Sequence, residues 1–383
     1  MKKSILKFSL CAFSILALSV NFSSCKKSGS EKTAQKDKIS VVATTFPCYD
    51  AVRAVSGDFL NSKVNLKLLV KPGMEVHSFD PAPADIVSIQ KSDLFVYVGG
   101  ESDEWVEKIL KNTSDELNCQ TVELIHFVNT LDEPEFDEDF EEGEATEESG
   151  SAHHHEHDES DEHEAAHHDH HHHEAEHHEN EDHDKHEHYE GQHHHHEHSE
   201  NVHEQDEHIW TSPENELIIV RAVCTYLQQI AEKKGLSELS AQFEKNAEDY
   251  CSKIEQVAQK TAEIIASKSE KFLLMADRFP FTYYVNYYGL EFDAAFSGCS
   301  TAVEASTATI SRLIDTVNEK QLPAVFYIEL GNHKIADSIS ESTKTKALLL
   351  ESCQNVTKTN FQNGETWVTL MDKNAETLNI GLK

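Results

Sequence analysis

The sequence predicts an α/β protein of two lobes, each a mostly parallel sheet flanked by helices, joined by a long rigid helix. Three observations predict it. Short β-branched runs alternate with helical stretches before residue 131, and the same alternation resumes after residue 269. Between them, from Ser237 to Ser267, apolar residues at Leu239, Phe243, Ala247, Tyr250, Ile254 and Val257 recur at steps of three and four, the spacing of one helix face. Strands alternating with helices imply parallel pairing, because each crossover helix returns the chain to the end of the sheet where the previous strand began.

In the first half, Lys38 to Phe46 is short and β-branched and reads as a buried strand. Pro47 to Val55 turns helical, closed by Gly57 and Asp58. Asn65 to Val70 is a second strand, followed by the turn residues Pro72 and Gly73. Pro83 to Lys91 forms a helix, Leu94 to Val98 a third strand ending in Gly99 and Gly100, and Ser102 to Lys111 an amphipathic helix. Thr121 to Phe127 is strand-like.

Order resumes at His208, and Pro213 to Lys234 is helical with Gly235 as its stop. Roughly 30 residues of linking helix would span about 45 Å, enough to cross a two-lobed protein. Beyond it come strands at Phe272 to Met275, Glu291 to Phe296, Ala324 to Ile328 and Ala347 to Leu350. Helices fall at Phe281 to Tyr288, Thr307 to Glu319, His333 to Ser342 and Asn363 to Leu378.

Charge is concentrated in one segment. The 383 residues hold 69 acids and 33 bases, a formal net charge of −36. Asp132 to Glu207 alone contains 31 acids, 22 histidines and one lysine, so the remainder is only mildly acidic. No basic face remains for phosphate contacts, which argues against nucleic-acid binding. The segment has no apolar periodicity and cannot offset chain entropy by burial, so 132–207 is expected to be a disordered insertion. The rest sorts into a leader (1–25), a polar tether (26–37), an N-terminal lobe (38–131, completed by 208–236), the linking helix (237–268) and a C-terminal lobe (269–383).

The leader has Lys2, Lys3 and Lys7, then an apolar run from Phe8 to Val20, then Asn21-Phe-Ser-Ser-Cys25. This is an export signal, and the run is too short to span a bilayer comfortably. A cysteine after small residues resembles a bacterial lipoprotein box, which would make Cys25 lipidated and the mature end; a plain signal cleaved after Ser24 is the alternative. Localisation in the cell envelope, on its extracytoplasmic or periplasmic side, follows from either. Among the other cysteines, Cys299 and Cys353 follow strand-like runs, and a disulfide between them and buried free thiols stand as equal alternatives.

Of 26 histidines, only His77, His126 and His333 lie outside the stretch from His153 to His208. His77 sits in a loop after a strand, where open α/β sheets present ligands. Six motifs occur in one order: Val42-Ala-Thr-Thr-Phe-Pro47, Gly73 to Asp80, Val98 to Trp105, His208-Ile-Trp-Thr-Ser-Pro213, the aromatic-rich Tyr283 to Leu290, and Phe326-Tyr-Ile-Glu329. Together they closely resemble the zinc/manganese solute-binding proteins of bacterial ABC importers, over essentially everything from Lys38 onward apart from the insertion.

That resemblance implies a non-enzymatic receptor holding Zn²⁺, with Mn²⁺ as the other cargo, between two lobes. It would deliver the ion to an ABC-type permease and its ATPase while Cys25 tethers it to the lipid membrane. Residue by residue, His77 and His208 match the first two family histidines. The third position, counted back from Leu290, falls on Arg278, whose guanidinium cannot ligate; the neighbouring Asp277 could supply an oxygen. The fourth, a carboxylate after Ala347 to Leu350, falls on Glu351. The expected metal site is therefore His77, His208, Glu351 and Asp277, or three ligands and water, with Arg278 neutralised by Asp277, Glu329 or Glu351.

The His-rich clusters at 153–155, 170–173 and 193–196 offer further imidazoles among acids that concentrate cations. They are expected to collect zinc weakly, with a grip that fades below the ordinary histidine pKa of about 6.5. A charged spacer is the plainer reading of the same composition. Two functions compete with a receptor: a surface lipoprotein acting mainly in adhesion or metal buffering, and a metallohydrolase. Against the hydrolase, no base stands beside His77 or His208 at HExxH-like spacing.

Overall fold

The computed structural model describes residues 38–113, 119–136, 204–300 and 304–383. The leader, the tether and the core of the insertion lie outside the described residues. So do the lipoprotein box at Cys25 and the histidine clusters.

In the N-terminal lobe, β1 (Ile39–Ala43) leads into α1 (Phe46–Ser56), β2 (Val64–Leu68), α2 (Pro83–Gln90), β3 (Leu94–Tyr97), α3 (Glu104–Thr113) and β4 (Gln120–Glu123). The four strands pair in parallel in the order β2-β1-β3-β4. Ile39, Val41 and Ala43 bury one face against α1 while Val42 faces Phe95, Ile89 and Val106 on the other, so the β-branched run is covered on both sides.

Next come α4 (Pro213–Lys234) and α5 (Ser240–Ala266). The C-terminal lobe contains β5 (Phe272–Phe279), α6 (Thr282–Tyr288), β6 (Glu291–Ser297), α7 (Thr307–Lys320), β7 (Ala324–Tyr327), α8 (Lys334–Thr343), β8 (Lys346–Leu349), α9 (Lys358–Gln362) and α10 (Trp367–Gly381). Its sheet is also all parallel, in the order β6-β5-β7-β8. Both sheets thus reverse winding direction beside their first strand, which opens a crevice at the carboxyl ends of the strands.

The linking helix α5 has 27 residues, about 40 Å of helix. The periodic residues read from the sequence are its buried stripe: Phe243, Ala247, Tyr250, Ile254 and Val257. It packs on α1 and α4 of the first lobe and on α10 of the second.

Further ties cross between the lobes. The Trp210 indole donates to Ser352 O and the Trp367 indole to Trp210 O, both at 2.9 Å. Asp50 accepts from Trp367 N and from the Tyr250 hydroxyl, both at 2.6 Å. Asn355 Nδ2 donates to Lys71 O and Met74 O, which fixes the loop carrying His77.

Four local expectations change. Thr121 to Phe127 is a strand only to Glu123 and then a 3₁₀ turn. β5 runs on to Phe279, with an irregular register between Met275 and Arg278. The last helix starts at Trp367 and not at Asn363: Gly364 takes a left-handed φ of 74°, the Thr366 side chain accepts from Thr369 N to cap the new helix, and the short α9, which the sequence did not suggest, precedes it. The insertion is also shorter than its composition suggested. Glu133 N donates to Glu204 O and Asp206 N to Leu131 O at 2.8 and 2.9 Å, while Phe136 packs on Phe279 and Phe292. Residues 132–136 and 204–207 therefore belong to the folded body.

Candidate metal centre

The loop after β2 carries His77, the segment entering α4 carries Glu207 and His208, and the turn after β6 carries Cys299. One potential ligand atom from each of these four residues lies within 4.8 Å of the others. The first three come from the N-terminal lobe and Cys299 from the C-terminal lobe, so the group spans the crevice.

His208 is fully buried. Its Nδ1 lies 3.0 Å from Asp206 Oδ1, and that same oxygen accepts the His208 backbone N–H at 2.7 Å. Asp206 is held in turn by the Thr282 hydroxyl at 2.6 Å. With Nδ1–H donating to Asp206, Nε2 is the nitrogen left for a metal, and it has no hydrogen-bond partner. An orphaned buried nitrogen costs about 1–3 kcal/mol, and a carboxylate behind the ring is the usual support of a metal-binding histidine. Burial works to lower the His208 pKa, but the Asp206 charge and hydrogen bond outweigh it and leave it raised.

His77 faces His208, with ring centroids 6.1 Å apart. The Gln354 amide nitrogen is 3.1 Å from its Nε2, and the Ser102 hydroxyl is 2.9 Å from its Nδ1. Ser102 gives its own proton to Glu207 Oε1, so His77 Nδ1–H donates to Ser102 and Nε2 holds the lone pair. Burial, followed by the positive charges of His208 and Arg278, lowers the His77 pKa to about 4. It is neutral at physiological pH, the form that ligates.

Glu207 is held at its other oxygen by Ser102 N at 2.8 Å. A Cβ at Gly100, where φ is 85°, would stand 2.6 Å from Glu207 Cβ, so this approach requires glycine. Gly298 plays the same part opposite: a Cβ there would meet His208 Cε1 at 2.8 Å and Phe279 O at 3.0 Å. Cys299 N donates to Glu133 Oε1 at 2.7 Å, so the folded base of the insertion positions the thiol.

His77 and His208, both named from the sequence, come together. Asp277 and Glu351 do not join them. Asp277 Oδ1 accepts Arg278 N and Oδ2 accepts Ile328 N, so its carboxylate fastens β5 to the turn after β7. Glu351 Oε1 accepts from the Asn360 amide at 3.1 Å, and its backbone pairs with Asn374. Arg278 pairs with Glu75 at 3.0 Å instead of any of its three expected partners. Burial opposes ionisation of Glu75, yet the guanidinium holds its carboxyl below the usual range. Of the two alternatives for Cys299 and Cys353, the structure has the free thiols, both buried.

Sequence reasoning missed Glu207 and Cys299. Glu207 is one of 31 acids in the biased segment, and only its place directly before His208 sets it apart. Cys299 stands just past a strand's carboxyl end, the position from which such sheets present ligands, and that place is the signal that marks it.

The family model described as zinc-uptake complex component A, periplasmic, matches residues 41–381. Among curated proteins, the chain is similar to the zinc-binding lipoprotein AdcA of Streptococcus pneumoniae, 26% identical over 381 residues. The alignment takes in 99% of this chain and 60% of AdcA, so the chain spans less than two thirds of that relative. It is also similar to the high-affinity zinc uptake system protein ZnuA of Bacillus subtilis, 25% identical over 375 residues, 98% of this chain and 96% of that one. Among solved structures, the Zn(II)-bound ZnuA-like domain of Streptococcus pneumoniae AdcA shares the fold, with a TM-score of 0.62 at 21% identity. That match covers 90% of this chain and 99% of the other.

Proposed function

This chain belongs to the family of zinc-uptake complex component A, periplasmic, and from that membership we propose that it is an extracytoplasmic receptor. It captures Zn²⁺ between its lobes and passes the ion to an ABC-type permease. The observation that carries this reading is the His208 Nε2 nitrogen, buried and without a partner, in a ring that faces His77. His77, His208 and Glu207 supply two imidazoles and a carboxylate, a donor set that suits zinc, whose binding releases any proton held on His208 Nε2.

Tetrahedral zinc with bonds of about 2.0–2.3 Å keeps its ligands about 3.3–3.6 Å apart. A group within 4.8 Å therefore needs to contract by at most about 1.5 Å. The packing of α5 on both lobes supports so small a closure. On binding, the ion takes the place of the Gln354 amide at His77 and ends the isolation of His208 Nε2. Coordination is the whole of the chemistry, in keeping with a receptor and not an enzyme.

Envelope localisation through Cys25, direct contact with the permease, and weak zinc collection by residues 137–203 complete the proposal. The adhesion reading draws on that same acidic segment, outside the described residues. The test is a calorimetric zinc titration of the chain lacking residues 137–203, with His77→Ala alongside. One tight equivalent, lost in the variant, is expected; a tight equivalent that survives His77→Ala would refute the assignment.

A further inference from the structure

We propose that Cys299 is a sulfur ligand of this centre and that it restricts the cargo to thiophilic divalent ions, accepting zinc and rejecting manganese. The inference rests on the receptor reading and goes beyond it, because it assigns the residue that decides between the two metals.

Three observations place the sulfur. Its ligand atom is within 4.8 Å of those of His77, Glu207 and His208. The backbone of Cys299 is clamped by the Glu133 carboxylate, so the residue is set in the crevice wall and does not drift with the turn. Gly298 brings that wall against the His208 ring, where any Cβ would collide. The third family position at this centre falls on Arg278, which is cationic and paired with Glu75, and Asp277 beside it is turned to Ile328 N. The sulfur of Cys299 completes the four-fold set in its stead.

The chemistry then follows from ligand softness. A thiolate binds zinc, cadmium and cobalt well, whereas manganese prefers carboxylate, carbonyl and water oxygens in six-fold geometry. Two imidazoles, one carboxylate and one thiolate form a four-coordinate, mixed N/O/S set of the kind zinc adopts. As the metal–sulfur bond forms, the sulfhydryl proton passes to solvent. The ligands then carry two negative charges against the ion's two positive ones, and no oxidant or reductant is involved.

The experiment loads the chain lacking residues 137–203 with one equivalent of Co²⁺ and records its absorption, then repeats this with Cys299→Ser. A near-ultraviolet sulfur-to-cobalt charge-transfer band, present in the parent and absent in Cys299→Ser, is expected. Competition titrations should show the preference for Zn²⁺ over Mn²⁺ falling by about 10- to 100-fold in Cys299→Ser, at least what loss of a supporting group around a metal costs. Cys299→Asp, with an oxygen in place of sulfur, should shift the preference the same way, and circular dichroism checks that both variants fold. Tight cobalt binding with visible d–d bands but no charge-transfer band would overturn the sulfur assignment and leave the receptor standing. Failure to bind any tight equivalent would overturn both.

Discussion

Asp206 Oδ1 lies 3.0 Å from His208 Nδ1 and so decides which nitrogen of that ring is free to bind a metal. The Thr282 hydroxyl and the His208 amide hold the carboxylate in place, and the fully buried ring has no other orientation to adopt. Asp206→Asn keeps the shape but weakens both the charge and the tautomer preference. Zinc affinity measured by chelator competition should fall by about 10- to 100-fold; an unchanged affinity would mean that Asp206 only packs.

Gly298 leaves no room for a methyl group. In Gly298→Ala the new carbon would stand 2.8 Å from His208 Cε1 and 3.0 Å from Phe279 O. The backbone carbonyl cannot retreat, so the imidazole must. The substitution should cost about 1–3 kcal/mol in denaturant unfolding, as overpacking does, and weaken zinc binding at the same time. A loss of stability with full zinc affinity would show that the ring tolerates the shift.

How far the tract can be cut without harming the centre is set by the pairing of 131–133 with 204–206. Removing 137–203 should abolish the weak zinc equivalents and keep one tight one. Removing 132–207 should also abolish the tight one, because it deletes Glu207, Asp206 and Glu133. Stoichiometry by calorimetry distinguishes the two, and a tight equivalent in the longer deletion would exclude Glu207 as a ligand.

These residues also show what the sequence makes legible. Both sheets could be read because buried parallel strands are short, apolar and β-branched, and the linking helix because its stripe repeats over about five turns. His77 and His208 were accessible because each opens or lies in a loop flanked by distinctive apolar and proline residues. Glu207 was hidden by composition: periodicity cannot single out one carboxylate among the 31 acids of the segment. Asp277 and Glu351 stand at strand ends as ligands do, but where their carboxylates are held, by Ile328 N and by Asn360, depends on contacts 51 and 9 residues away. Cys299 failed for the same reason, since its neighbours in space come from other elements.

A buried carboxyl beside the centre gives the protein a pH-dependent stability. Asp103 is buried and accepts Val98 N and Gly99 N at 2.9 and 3.1 Å through one oxygen. Burial is the main influence on its pKa, opposed by those amides and assisted by Glu207, and raises it to about 7. In the unfolded chain the value is about 3.9. The folded state therefore favours the protonated form, and the stability this confers is complete below about pH 4 and lost as pH rises toward 7. Asp103→Asn imitates the neutral form while keeping an acceptor for the two amides. It should match the parent near pH 4 and exceed it at pH 8, by on the order of 2–4 kcal/mol. Urea unfolding at the two pH values checks this; an equal difference at both would contradict the shift.

The convergence of two distant imidazoles on one cation is tested most directly by a crystal structure of the chain lacking residues 137–203, loaded with one equivalent of zinc and measured at the zinc absorption edge. A single anomalous peak about 2.0–2.2 Å from His208 Nε2 and from a ring nitrogen of His77 is the predicted result. A fully occupied peak elsewhere, with both rings unliganded, would contradict it.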